Sequence, residues 1–397
     1  MIFYGFKDTS WSMLVLFIPL GFLFFKLLKF VSKWLILRQY RKNPFAVIIK
    51  NYERSADSNL LEYIEVFKKS EYVSKFIGSK TDLILGKPYL KLFCGLPEST
   101  LSQMKVYIKA FHKNWSNSTH FESQKLNRRL MPIISSNFET SIQKVEYIIH
   151  ENLNKDFLSF LENGDTLIDI AIWQCYGENQ EELAIPNDAF YTSIPTYFYL
   201  FVTLLGYAFS NFLVDISLSK QIFQKLENEQ RMIMERHARM ITIEQLDEMV
   251  YLDAALTESL RLGNNKMSIK EALCDIFLPN GVFIPKKSLV QFNTISHNRS
   301  ASTFNGHPHE FIPERHPELG TKLDVTSKTN LVWGLGSSEC PYRRYCAIVM
   351  KLFAATLIRS YKISQGNTNQ DTTHEGYFLD YFVQHAKSSL YLKMRKI

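Results

Sequence analysis

The sequence is short of the features that would place it quickly. It has five cysteines in 397 residues (Cys94, Cys175, Cys274, Cys340 and Cys346), and no two of them form a C-x-x-C pair. An odd, widely spaced set argues against a disulfide framework and a zinc ribbon, and it suits a reducing compartment. Charge of one sign is also scarce: 46 Lys+Arg against 39 Asp+Glu give a net charge of only +7. Over this length that is too mild for a nucleic-acid-binding surface, and no nucleic-acid partner is expected. There is no internal repeat and no low-complexity tract. Mean hydropathy is −0.12, far below that of a polytopic membrane protein. The 46% hydrophobic content excludes a mainly disordered chain and is enough for a sizeable core.

One apolar run stands apart from the rest. Trp11 to Phe25 carries no charge. A second apolar stretch continues past Lys26 and Lys29 and ends in Arg38, Arg41 and Lys42. Lysines near a helix end can snorkel, so the usable length approaches the roughly 20 residues a bilayer requires. The basic cluster follows the run, which the positive-inside rule reads as a cytosolic body behind a single span. A cleaved signal peptide would carry its charges before the run and small residues after it, and a purely interfacial helix is the other rival. The expected organisation is therefore a membrane anchor with its basic flank over residues 1–42 and one domain over 43–397.

Within that domain, helical spacing of apolar residues is seen over Asn59–Lys69, and Lys125–Leu161 reads as two helices. Ile194–Leu218 is apolar enough for a buried central helix, Gln221–Arg239 is charged and helical, and Ile243–Leu262 is a further helix. Leu83–Cys94, with Gly86 and Pro88 inside, reads as short strands with a turn. Phe277–Phe283 and Ser288–Phe292 read as strands around the Pro279-Asn280-Gly281 turn. Residues 297–330 are turn-rich, Tyr342–Ser360 is helical, and Tyr377–Met394 has strand character. The expected fold is mainly α with a small β region.

Three local patterns carry chemistry. Glu258-Ser259-Leu260-Arg261 places two opposite charges on one helix face at i and i+3. Pro313-Glu314-Arg315-His316 supplies a second arginine downstream. Trp333-Gly334-Leu335-Gly336-Ser337-Ser338-Glu339-Cys340 ends a glycine-containing loop in a cysteine directly before a helix. Amide N–H groups and the helix dipole at such a position favour a thiolate, and a thiolate can be an axial heme ligand. Any one of these patterns alone is ordinary.

In this order, together with the apolar N-terminus, they resemble the cytochrome P450 family, and in texture its fungal microsomal members that modify terpenoids and other secondary metabolites. The resemblance covers roughly the last 200 residues, where Phe277–Lys286 also matches the family's strand pair before an I-P-K turn. It implies a heme-thiolate domain behind one transmembrane helix. Cys340 would be the proximal ligand to the iron of heme b, Trp333 would pack on its sulfur, and Gly336 would sit at the loop glycine. Glu258, Arg261 and Arg315 would form the buried network that supports the loop. It further implies an O2-dependent monooxygenase acting on a lipophilic small molecule, an NADPH-dependent flavoprotein reductase as electron donor, and a single-pass protein of the endoplasmic reticulum membrane with its catalytic domain in the cytosol. Arg343, Arg344 and Lys351 would give a basic face toward that reductase. Thr203 falls where the family carries a proton-relaying hydroxyl.

The chain departs from the pattern at Tyr342, where the family has glycine, and at Leu204, beside Thr203. The interval of about 175–192 is abbreviated where the family roofs its substrate pocket. These departures point to the alternative of a catalytically weak or inactive relative acting as a membrane-anchored binding protein.

Overall fold

The computed structural model describes residues 24–28, 30–31, 34–35, 46–49, 72–77, 80–106, 204–237, 241–264, 268–304, 306–336, 339–340, 342–365, 374, 377–379, 384–386 and 390–394. Thr203, the predicted helices of Asn59–Lys69 and Lys125–Leu161, the abbreviated interval of 175–192 and most of the apolar N-terminus lie outside them. Residues 24–28 are helical, and Phe24, Phe25, Leu27 and Leu28 are exposed. Among the described residues no helix is long and apolar enough to cross a membrane.

The β region is a six-stranded sheet with small satellites. Strands β1 (Ala46–Ile49), β2 (Tyr72–Ile77), β3 (Lys80–Leu85), β4 (Leu101–Ser102), β5 (Ser268–Ala272) and β8 (Leu289–Phe292) lie in the order β1-β2-β3-β8-β5-β4. The β1–β2 and β3–β8 pairs are parallel and the others antiparallel. The predicted turn at Pro279-Asn280-Gly281 closes the hairpin of β6 (Ile276–Phe277) and β7 (Phe283–Ile284), with Gly281 at φ 81°. Near the C-terminus β9 (Tyr361–Gln365) pairs with β12 (Leu390–Met394), and β10 (Tyr377–Leu379) with β11 (Gln384–Ala386).

Leu83–Cys94 departs from expectation. Only its start is strand. Pro88 opens a 3-10 turn at Lys87–Tyr89, which runs into helix α1 (Leu90–Gly95). Proline tolerates the first turn of a helix because its missing N–H has no partner to lose there.

The central helix α2 spans residues 204–217 of the described chain and buries Phe212, Leu213, Val214 and Ile216. Helix α3 (Lys220–His237) is amphipathic, burying Phe223, Leu226, Gln230 and Ile233. The single helix expected over 243–262 is two: α4 (Ile243–Glu248) and α5 (Val250–Gly263), broken at Met249 with φ −77° and ψ 69°. Thr242 and Gln245 form a capping box at the start of α4. The Glu229 carboxylate of α3 accepts from the first amides of α5, Tyr251 N at 2.6 Å and Leu252 N at 3.0 Å. Short helices α6 (Thr294–Asn298) and α7 (Arg315–Leu319) follow, and then the long α8 (Arg343–Ser360).

One apolar core joins α2, α3, α4, α5, α8 and β9. A second lies between α1, the sheet and the β6–β7 hairpin, and it includes Leu331. The loop carrying Trp333 and Cys340 runs between these two cores.

Candidate heme-thiolate site

Helix α5 is buried on every side, from Leu252 and Ala254 through Leu262. Charges inside such a helix need partners. Glu258 is fully buried, and Arg261 grips its carboxylate bidentately, Nε to Oε2 and Nη2 to Oε1, both at 2.7 Å. Arg315 Nε reaches Oε1 at 2.9 Å. The structure thus joins the three residues expected to meet.

It also adds one that sequence reasoning missed. His316 Nε2 lies 2.8 Å from Glu258 Oε2. Its only signal in the sequence was a position next to Arg315. Burial alone would raise the Glu258 carboxyl, but Arg261 and His316 outweigh it and hold the group down at about 2. The spare guanidinium donors are spent on carbonyls: Arg261 Nη1 on Asn298 and Pro308, and Arg315 Nη2 on His307.

Five residues beyond His316, the segment 321–325 crosses toward the cysteine loop. Leu323 N donates to Asp253 Oδ1 at 2.9 Å, and Leu323 O accepts from the Trp333 indole at 2.5 Å. Trp333 O in turn accepts Cys340 N at 2.7 Å, closing the loop. Gly334 and Gly336 take positive φ, 81° and 67°. A Cβ at Gly336 would lie 2.8 Å from the Cys94 carbonyl oxygen, so the position excludes a side chain on two grounds.

Cys340 is half-buried just before α8 and has no disulfide partner. The expected bias toward thiolate does not hold for the bare sulfur. Burial pushes the thiol up, while the Tyr342 amide directed at the sulfur and the nearby Arg343 pull the other way. A cation held at the sulfur would favour the thiolate. Among the described residues no cluster of three or more His, Cys, Asp or Glu could hold a metal by itself. A lone cysteine sulfur in a glycine loop at a helix N-terminus is a donor that could hold heme iron as its thiolate. Tyr342 has φ −94° and ψ 7°, ordinary values for any residue, so replacing glycine there costs no backbone strain.

The basic face expected beyond the cysteine is smaller than predicted. Arg344 is exposed, but Arg343 pairs with Glu339 at 3.0 Å and donates to Asp324 O at 3.1 Å. Lys351 is buried, with Nζ 2.6 Å from Asp253 Oδ2 and 3.2 Å from Leu246 O. Leu204, at the visible start of α2, is 37% exposed. A recess of about 320 Å³ lined by Lys225, Glu229, Met232 and Arg236 lies on α3 and does not include Cys340.

The cytochrome P450 family model matches residues 207–391, the stretch that holds Glu258, Arg261, Arg315, Trp333 and Cys340. The chain is 30% identical over 142 residues to the probable cytochrome P450 12d1 proximal, mitochondrial, of Drosophila melanogaster, covering 35% of this chain and 27% of the relative. It is 28% identical over 171 residues to cytochrome P450 CYP94D109 of Paris polyphylla, covering 42% and 34%. It is 28% identical over 140 residues to the mitochondrial cholesterol side-chain cleavage enzyme of Sus scrofa, covering 35% and 26%. The matched segment thus spans between about a quarter and a third of these relatives' length. Over this segment the chain is similar to the cytochrome P450 family, whose members are heme-thiolate proteins.

Proposed function

We propose that the chain is a heme-thiolate monooxygenase hydroxylating a lipophilic small molecule, a terpenoid or another secondary metabolite. The observation that carries this reading is the Cys340 loop, closed on Trp333 and tied to the buried Glu258 network. Heme held by Cys340 supplies activation of O2 and transfer of one oxygen atom to a C–H bond. The chain's own share is positional. Cys340 offers the thiolate, Trp333 and Gly336 shape the loop around it, and Glu258, Arg261 and Arg315 keep that loop from moving. Thr203 is the proposed proton donor.

Electrons come from an NADPH-dependent flavoprotein reductase, for which the exposed Arg344, four residues beyond Cys340, is a candidate contact. Residues 1–42 form a single-pass anchor in the endoplasmic reticulum membrane, with the domain of residues 43–397 in the cytosol. The uncharged run Trp11–Phe25 and the exposed Phe24, Phe25, Leu27 and Leu28 support it. Relatives named for cholesterol and for beta-amyrin favour a lipophilic substrate class. The test is turnover in vesicles with heme-loaded protein, a flavoprotein reductase and NADPH, scored by hydroxylated product against a terpenoid panel. Failure to oxidise any substrate by a protein that retains its heme contradicts it.

A specific observation supports a second reading, a membrane-anchored heme-binding protein without turnover. A tyrosine side chain stands at position 342, next to the ligand and where the family has glycine, and would crowd a bound heme. Heme retained with spectral shifts on ligand addition, but no NADPH consumption, would select it.

A further inference from the structure

The Glu258 carboxylate offers two oxygens, and five donors reach them. Arg261 uses both, Oε1 also takes Arg315 Nε and, at 3.1 Å, Ile312 N, and Oε2 takes His316 Nε2. A carboxylate held this low carries no proton, so the hydrogen in the His316 contact belongs to Nε2. The other ring nitrogen, Nδ1, lies 2.6 Å from Thr321 Oγ1, and the same hydroxyl lies 3.3 Å from the His316 carbonyl oxygen. With a neutral ring, the Thr321 hydroxyl donates to Nδ1. With a charged ring, Nδ1–H donates to Oγ1 and the hydroxyl turns to the carbonyl. Both arrangements satisfy every atom, and His316 is only 1% exposed. The imidazole is therefore a rigid spacer held at both ends, joining α5 to the start of segment 321–325.

That segment has no ladder of its own, and its backbone groups are taken up by side chains from its neighbours. Asp253 holds Leu323 N, Trp333 holds Leu323 O, Arg343 holds Asp324 O, and Asn330 Nδ2 holds Lys322 O at 3.0 Å and Val325 O at 2.9 Å. The position of the segment sets where the Trp333 indole hangs, and Trp333 O fixes Cys340 N. We propose that His316, through Thr321, is a positioning residue for the Cys340 loop: a fourth arm of the Glu258 network that registers segment 321–325 beneath Trp333. The spectroscopic arm of its test rests on the reading of Cys340 as iron ligand; the exchange arm does not.

The test is hydrogen exchange by mass spectrometry on the full chain, with Thr321→Val and His316→Gln beside the parent. The threonine variant keeps its shape and loses only the hydroxyl. The glutamine keeps a donor for Glu258 and loses the link to Thr321. In both, amides of residues 320–333 are expected to exchange about tenfold faster, while α5 and α8 keep their protection. Unchanged exchange over 320–333 in both variants overturns the proposal, as does a uniform acceleration that includes α5 and α8. In heme-loaded protein both variants should lose part of the thiolate-type carbon monoxide band that the parent shows. A full band in both also overturns it. If the parent itself shows no such band, the heme-ligation reading fails, and the exchange result alone decides the role of His316.

Discussion

Ser259 Oγ of α5 donates a 2.6 Å hydrogen bond to Asp215 Oδ2 of α2, one residue along the chain from Glu258. Asp215 is 3% exposed. Burial pushes its carboxyl up from 3.8 to about 7; Ser259 pulls it down, the Glu258 charge pushes it further up and Arg261 opposes. His374 Nε2 stands 3.8 Å from the other oxygen. The central helix and the network helix are thus joined through an acid that the fold prefers neutral.

A raised folded value means the folded state holds the proton longer than the unfolded chain does. The contribution of Asp215 is complete below about 3.8 and is lost as pH rises toward about 7. Asp215→Asn, which mimics the neutral acid, should flatten the fall in urea midpoint across that window. The same slope in the variant would contradict the assignment.

Glu258 behaves in the opposite sense. Its folded value is depressed from 4.5 to about 2, so its contribution is present above 4.5 and disappears as pH falls through about 2. Glu258→Ala leaves Arg261 and Arg315 buried without their counter-charge. It should cost about 3–5 kcal/mol by denaturant titration, and the variant should lose the acid-unfolding step in that range.

Gly336→Ala should destabilise by about 1–3 kcal/mol, because it strains a positive φ and drives a methyl into the Cys94 carbonyl. A thermal melt reads the loss. An unchanged melting temperature would show that the loop is not pinned against α1.

Lys351→Met strands the Asp253 carboxylate, which also serves Leu323 N, and should cost about 3 kcal/mol. Adding Asp253→Asn removes the stranded charge and should recover part of that. A double variant as unstable as the sum of the two singles would show that the pair does not interact.

Much of the site was legible before the fold was known. Glu258, Arg261, Arg315 and the Trp333–Cys340 loop stand out through the family resemblance that their types, spacing and order carry together, and the structure brings Glu258, Arg261 and Arg315 within direct hydrogen-bond reach. His316 was not legible, since one histidine beside an arginine has no period and its partners are 58 residues upstream and 5 downstream. Lys351 reads in the sequence as part of a basic face beyond the ligand, whereas in the fold Asp253 receives it inside the core. The break at Met249 has no glycine or proline to announce it. Tertiary contacts impose it, with Glu229 capping the helix that restarts there. Pro88 signals a turn in the sequence, and in the fold it opens a helical turn. Thr203 falls outside the described residues.

The central claim is that Cys340 ligates heme iron through its thiolate. The carbon monoxide spectrum of the reduced, heme-loaded chain tests it most directly. The account predicts the long-wavelength Soret band of thiolate-ligated heme in the parent and in Cys94→Ser, Cys274→Ser and Cys346→Ser, and its loss in Cys340→Ser. A folded, heme-containing parent without that band, or a band that survives Cys340→Ser, would contradict it.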